Sequence, residues 1–112
     1  MSYGFTFTKP FTLTCPECGG ALFPPEDGPT LEYVCHIGHR LSWPIMLEAQ
    51  LARIEATLGT AMVLMKERAE LARQGAEHGE ADVDALQRVV AEAMERAEQV
   101  KRLLELPWQD AR

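Results

Sequence analysis

The sequence predicts an α+β fold, mostly α: a small N-terminal β ribbon followed by a long, coiled-coil-like antiparallel helical hairpin. Two observations point there. Residues 1–41 hold five of the seven prolines, all three cysteines and most of the aromatics, whereas residues 43–106 are rich in Ala, Leu, Glu, Arg and Gln, which are helix formers. The apolar pattern also changes from short alternating runs to steps of three and four. The expected organisation is a ribbon with a flexible N-terminal arm over 1–41 and a hairpin over 42–112, its helices at about 43–74 and 82–106.

Residues 1–10 read as a loosely ordered arm, and Phe5, Phe7 and Phe11 alternate with Thr and Pro across its end, a strand-like pattern. Phe11–Thr14 leads into Cys15 as a first strand, Ala21–Phe23 returns from Gly19-Gly20, and Leu31–Val34 forms a third strand ending at Cys35. Between them, Pro24-Pro25-Glu26-Asp27-Gly28-Pro29 is a loop.

Ser42 precedes the helical pattern and Pro44 falls in its first turn. Leu47, Leu51, Ile54, Leu58, Ala61 and Met65 make one seam, which Arg68 interrupts and Ala72 resumes. The two glycines of Gln74–Gly79 are unfavourable in a helix and predict a break. A second helix begins near Asp82 or Asp84 as its cap, carries Val83, Leu86, Val90, Ala93, Ala97, Val100 and Leu104, and stops before Pro107. Met62, Val63, Leu64, Val89, Met94 and Leu103 lie off these seams. That surplus predicts packing against the ribbon, a second copy or another protein.

The chemistry resides in Cys15-Pro-Glu-Cys18-Gly-Gly and Cys35-His36-Ile-Gly-His39, with sixteen residues between Cys18 and Cys35. A CxxC turn offers two thiolates, and a second knuckle offers Cys35 and His39, the set that a tetrahedral zinc ion takes. Gly19 and Gly38 supply the sharp bends. Three thiolates and one imidazole on Zn²⁺ leave a closed site of about −1, with no open position at which to activate water. His36 points away, and His78 sits solvated in the turn between the helices. Two other readings compete: a redox CxxC, which usually opens a helix in a βαβ context absent here, and cysteines that are merely core residues. A ribbon of some 40 residues buries too little to fold alone, so metal binding supplies the missing free energy. Trp43 and Tyr33 are candidates to pack it on the first helix.

The run Cys15-Pro-Glu-Cys18-Gly-Gly-Ala-Leu, then Tyr33-Val-Cys35-His-Ile-Gly-His39-Arg-Leu-Ser42, then a helix with Glu-Ala-Gln and a late Lys-Glu-Arg-Ala-Glu-Leu-Ala, resembles a tail module. It is similar to the zinc-ribbon and helix segment that follows the catalytic domain in some bacterial chemotaxis methylesterases of the CheB type. The resemblance spans about residues 12–74. It implies metal ligation by Cys15, Cys18, Cys35 and His39, a stand-alone accessory module, and a bacterial signalling setting. It carries over nothing catalytic.

Charge narrows the partners. The net charge of −6 divides into two basic and four acidic residues over 1–41, and nine basic and thirteen acidic over 42–112. Neither part has the basic stripe that neutralises phosphates, which argues against a nucleic-acid partner. The start lacks a basic region with a long apolar run, and no stretch reaches the ~18 apolar residues of a membrane span, so a cytoplasmic location is expected. There is no Gly-rich phosphate loop, GxSxG or HExxH, and the carboxylates lie among arginines on helix faces. The expected function is therefore non-enzymatic: a zinc-binding interaction or regulatory adaptor that self-associates or docks a protein through its helices. The alternative is a redox- or metal-responsive switch in which cysteine oxidation releases zinc and alters assembly.

Overall fold

A computed structural model describes residues 12–25 and 28–109; the expected N-terminal arm with Phe5, Phe7 and Phe11 lies outside them. The fold is α+β and mostly α, in the order β1 (Glu32–Val34), β2 (Arg40–Ser42), α1 (Trp43–Glu77) and α2 (Val83–Glu105). The chain forms two compact units, Met1–Arg53 and Ile54–Arg112.

In the first unit, β1 and β2 pair antiparallel with Glu32 opposite Ser42, Tyr33 opposite Leu41 and Val34 opposite Arg40. Period-2 alternation puts the Tyr33–Leu41 pair on one face, and both are buried. The two expected strands flanking the first knuckle shrink to bridges, Thr14 with Ala21 and Leu22 with Cys35. The expected third strand is β1, while β2 arises where no strand was anticipated. The knuckle Cys35–His39 reverses the chain and lays Arg40–Ser42 back along β1.

The core of this unit is Cys15, Leu22, Tyr33, Cys35, Leu41 and Met46. Met46, not Trp43, is the α1 side chain buried there; Trp43 stays 44% exposed. Arg53 Nη1 donates to the Pro16 carbonyl at 3.0 Å. The opening turns of α1 thus belong physically to the ribbon, through the buried Met46, the Arg53 bond to Pro16 and the Trp43 N–H bond to Leu31 O at 3.1 Å.

In the second unit α1 and α2 form the antiparallel hairpin. Leu58, Met62, Met65, Ala69, Ala72 and Ala76 line the more covered side of α1, with Ala69 and Ala72 buried. Of the expected seam, Leu58, Ala61, Met65 and Ala72 fall on this covered side, while Leu47 and Ile54 are exposed. Met62, expected off the seam, is half-buried beside Ala61, and Ala69 rather than Arg68 fills the gap in the pattern, so Arg68 remains in solvent and nothing interrupts the stripe. On α2 the expected seam holds from Leu86 to Leu104, with Ala93 and Ala97 buried, while Val83 is 47% exposed. Alanine at the centre of both stripes allows two helices to approach closely.

The break falls at Gly79 rather than Gly75. Gly79 adopts φ +68°, its N–H donates to Ala76 O at 3.4 Å, and Glu80 N–H donates to Gly75 O at 3.0 Å. That is a Schellman ending, which needs a left-handed residue after the cap. Gly75 costs α1 about 1 kcal/mol, too little to end a long packed helix. Asp82 caps α2, its carboxylate accepting from Ala85 N–H at 3.3 Å, and Asp84 in the first turn complements the helix dipole. Leu106 closes α2 just before Pro107.

Candidate metal centre

Two knuckles carry the donors. In the first, Cys15 N–H donates to Gly20 O at 2.7 Å and Gly19 N–H to Cys15 O at 2.9 Å, which curls Cys15–Gly20 so that both sulfurs face inward. In the second, Gly38 N–H donates to Cys35 O at 3.0 Å and Cys35 N–H to His39 O at 3.1 Å. Gly19 and Gly38 sit at φ +78° and +97°, conformations that a Cβ strains. The Leu22–Cys35 bridge and the Phe23 N–H bond to Val34 O at 2.9 Å bring the knuckles together.

All four sequence-predicted donors converge: three sulfurs and one imidazole nitrogen lie within 4.8 Å of one another. Cys18 Sγ is 3.8 Å from Cys35 Sγ, and His39 Nδ1 is 3.3 Å from Cys35 Sγ and 3.8 Å from Cys15 Sγ. A tetrahedral ion with metal–sulfur bonds of about 2.3 Å and metal–nitrogen bonds of about 2.0–2.1 Å holds two sulfurs about 3.8 Å apart and sulfur and nitrogen about 3.5 Å apart. These three spacings match such an ion, and the four donors together lie close enough to hold one.

Cys15 and Cys35 are buried, Cys18 is exposed, and the His39 side chain is 36% exposed. The Cys35 thiol is pulled down to about 6. Desolvation opposes this, but the N–H groups of Ile37 and His39, with the Cys18 and His39 side chains, stabilise the thiolate; His39 N–H lies 3.3 Å from the sulfur. The Cys18 thiol is pushed up: the Gly20 N–H favours its thiolate, but desolvation and the adjacent Cys15 and Cys35 sulfurs outweigh it.

Sequence reasoning missed Glu17. Its carboxylate lies 3.5 Å from His39 Nε2, the nitrogen facing away from the sulfurs. The signal was present in Cys15-Pro-Glu-Cys18, where a carboxylate between two ligands is carried on the same turn. His36 is outside the donor cluster, its ring 4.3 Å from that of Phe23, and His78 is exposed beyond the end of α1. Among the described residues, no helix is long and apolar enough to cross a membrane. Comparison with protein-family models, curated proteins and solved structures finds no match to this chain.

Proposed function

We propose that the chain is a non-enzymatic adaptor: a structural zinc ribbon on helices that bind a second copy or a partner protein. The carrying observation is the convergence of Cys15, Cys18, Cys35 and His39, whose donor atoms lie within 4.8 Å of one another. Three thiolates and an imidazole suit zinc, whereas Mg²⁺ and Ca²⁺ prefer oxygen. Four protein ligands leave no position for water, so the ion's role is to hold the knuckles together. The small core around it needs that contribution. The helices support the adaptor half of the reading: Leu64, Leu71 and Leu103 are 58%, 68% and 45% exposed, side chains that a partner would cover. The resemblance to the methylesterase tail module favours a bacterial signalling role, and a reducing cytoplasm suits a thiolate site.

A second reading rests on the exposed Cys18, 3.8 Å from Cys35 Sγ. A peroxide would convert the Cys18 thiolate to a sulfenic acid, breaking the O–O bond and releasing hydroxide. The Cys35 thiolate would then displace a second hydroxide, forming a disulfide and freeing zinc. The ribbon would unfold and the assembly change with it.

Elemental analysis with native mass spectrometry of protein purified without added metal tests the first reading. The expected result is one zinc per chain in a defined oligomer or complex, with zinc lost in Cys35→Ser. No zinc, with Cys15 and Cys18 joined as a disulfide, would overturn it. Coupled loss of zinc and change of assembly under mild peroxide would instead establish the switch.

A further inference from the structure

We propose that Glu17 is a positioning residue for the metal centre, fixing His39 in the tautomer that presents Nδ1 to the ion; the inference rests on the zinc reading above. A neutral imidazole carries one proton, and the nitrogen without it is the ligand. His39 Nδ1 faces the sulfurs at 3.3 and 3.8 Å, and Nε2 faces Glu17 Oε2 at 3.5 Å. An ionised carboxylate only accepts hydrogen bonds. A carboxylate at this position favours the tautomer with the proton on Nε2, which leaves the Nδ1 lone pair for the metal.

The contact also joins the two knuckles. Glu17 lies between two ligands of the first, and His39 is the last ligand of the second, so the pair closes the ring of donors from outside. The sign of its effect depends on the ion. Without a cation, a carboxylate beside three sulfurs adds repulsion as thiolates form. With a dication it completes a carboxylate–imidazole–metal chain that raises the basicity of the bound nitrogen. An exposed ion pair with side chains 36% and 56% accessible would by itself contribute little. The contribution of Glu17 should therefore appear in metal affinity rather than in the stability of the helices.

The test uses the full chain as wild type, Glu17→Gln and Glu17→Ala, with zinc affinity measured by chelator competition. Side-chain ¹H–¹⁵N NMR of His39 in the zinc-loaded protein reports the tautomer. Glu17→Ala is expected to weaken zinc about 10-fold and to speed water exchange of the His39 Nε2 proton. Glu17→Gln, whose amide oxygen still accepts, should recover part of both. At saturating zinc all three should hold one ion per chain. Wild-type zinc affinity (within about twofold) and unchanged His39 resonances in Glu17→Ala would overturn the proposal, as would resonances showing Nε2 on the metal. Wild-type protein that takes up no zinc would instead overturn the underlying site.

Discussion

Gly38→Ala isolates what the second knuckle demands of the backbone. Gly38 sits at φ +97° between Cys35 and His39, and a Cβ built there meets nothing within 4 Å. The substitution adds no clash, so its cost is conformational, about 1–3 kcal/mol for a side-chain-bearing residue in a sparsely populated region. If ribbon folding and zinc binding are one event, that strain appears as zinc affinity lowered roughly 5- to 150-fold. Chelator competition reads it directly, and melting of the zinc-loaded ribbon, followed by the near-ultraviolet dichroism of Tyr33, should shift the same way. Gly59→Ala is the control. Gly59 lies inside α1 without positive φ, and its added Cβ also meets nothing within 4 Å. There alanine should stabilise the helix by about 1 kcal/mol and leave zinc affinity unchanged. Gly38→Ala protein with wild-type zinc affinity would refute the coupling of knuckle geometry to metal. Gly59→Ala protein weakened to the same degree would show that the effect is not specific to the knuckle.

Two further outcomes follow from the same geometry. Ala69 is fully buried in the α1 stripe, so Ala69→Leu should overpack the hairpin and cost about 1–3 kcal/mol, read by urea unfolding at helical ellipticity with zinc content unchanged; a stabilised variant would show that the seam has room. Acidification should release zinc and melt the ribbon before the hairpin. The folded ribbon depresses the Cys35 thiol to about 6 from an ordinary value of 9.0, so its contribution to stability is present above the unfolded value and is lost as pH falls through the folded one. A bound cation lowers the thiol further, placing zinc loss below pH 6, and loss already at neutral pH would contradict the reasoning.

The donors were legible from spacing because metal ligation is written in residue type: two knuckles separated by a hairpin's length of chain admit few other arrangements. Helix type and the Asp82 cap were legible for a similar reason, since capping and periodicity are local. Three features were not. The width of the α1 stripe depended on α2. Leu58, Ala61, Met65 and Ala72 were legible from spacing, but only burial against a second helix adds Met62 and puts Ala69 where Arg68 broke the pattern. Strand β2 depended on the knuckle, because Arg40-Leu41-Ser42 has no strand signature until Cys35–His39 folds the chain back onto β1. The contact of His39 Nε2 with Glu17 depended on the two knuckles meeting.

The sequence by itself determined which side chains can bind a metal, where α1 starts, and where α2 starts and stops to within a residue. These follow from side-chain chemistry and from interactions within a few residues. The tertiary structure decided that the four donors lie within 4.8 Å of one another, that Met46 rather than Trp43 joins α1 to the ribbon core, and that Nδ1 of His39 faces the sulfurs while Nε2 faces a carboxylate. Each of these is a relation between segments brought together by a turn, and contacts between distant segments exist only once the chain has closed.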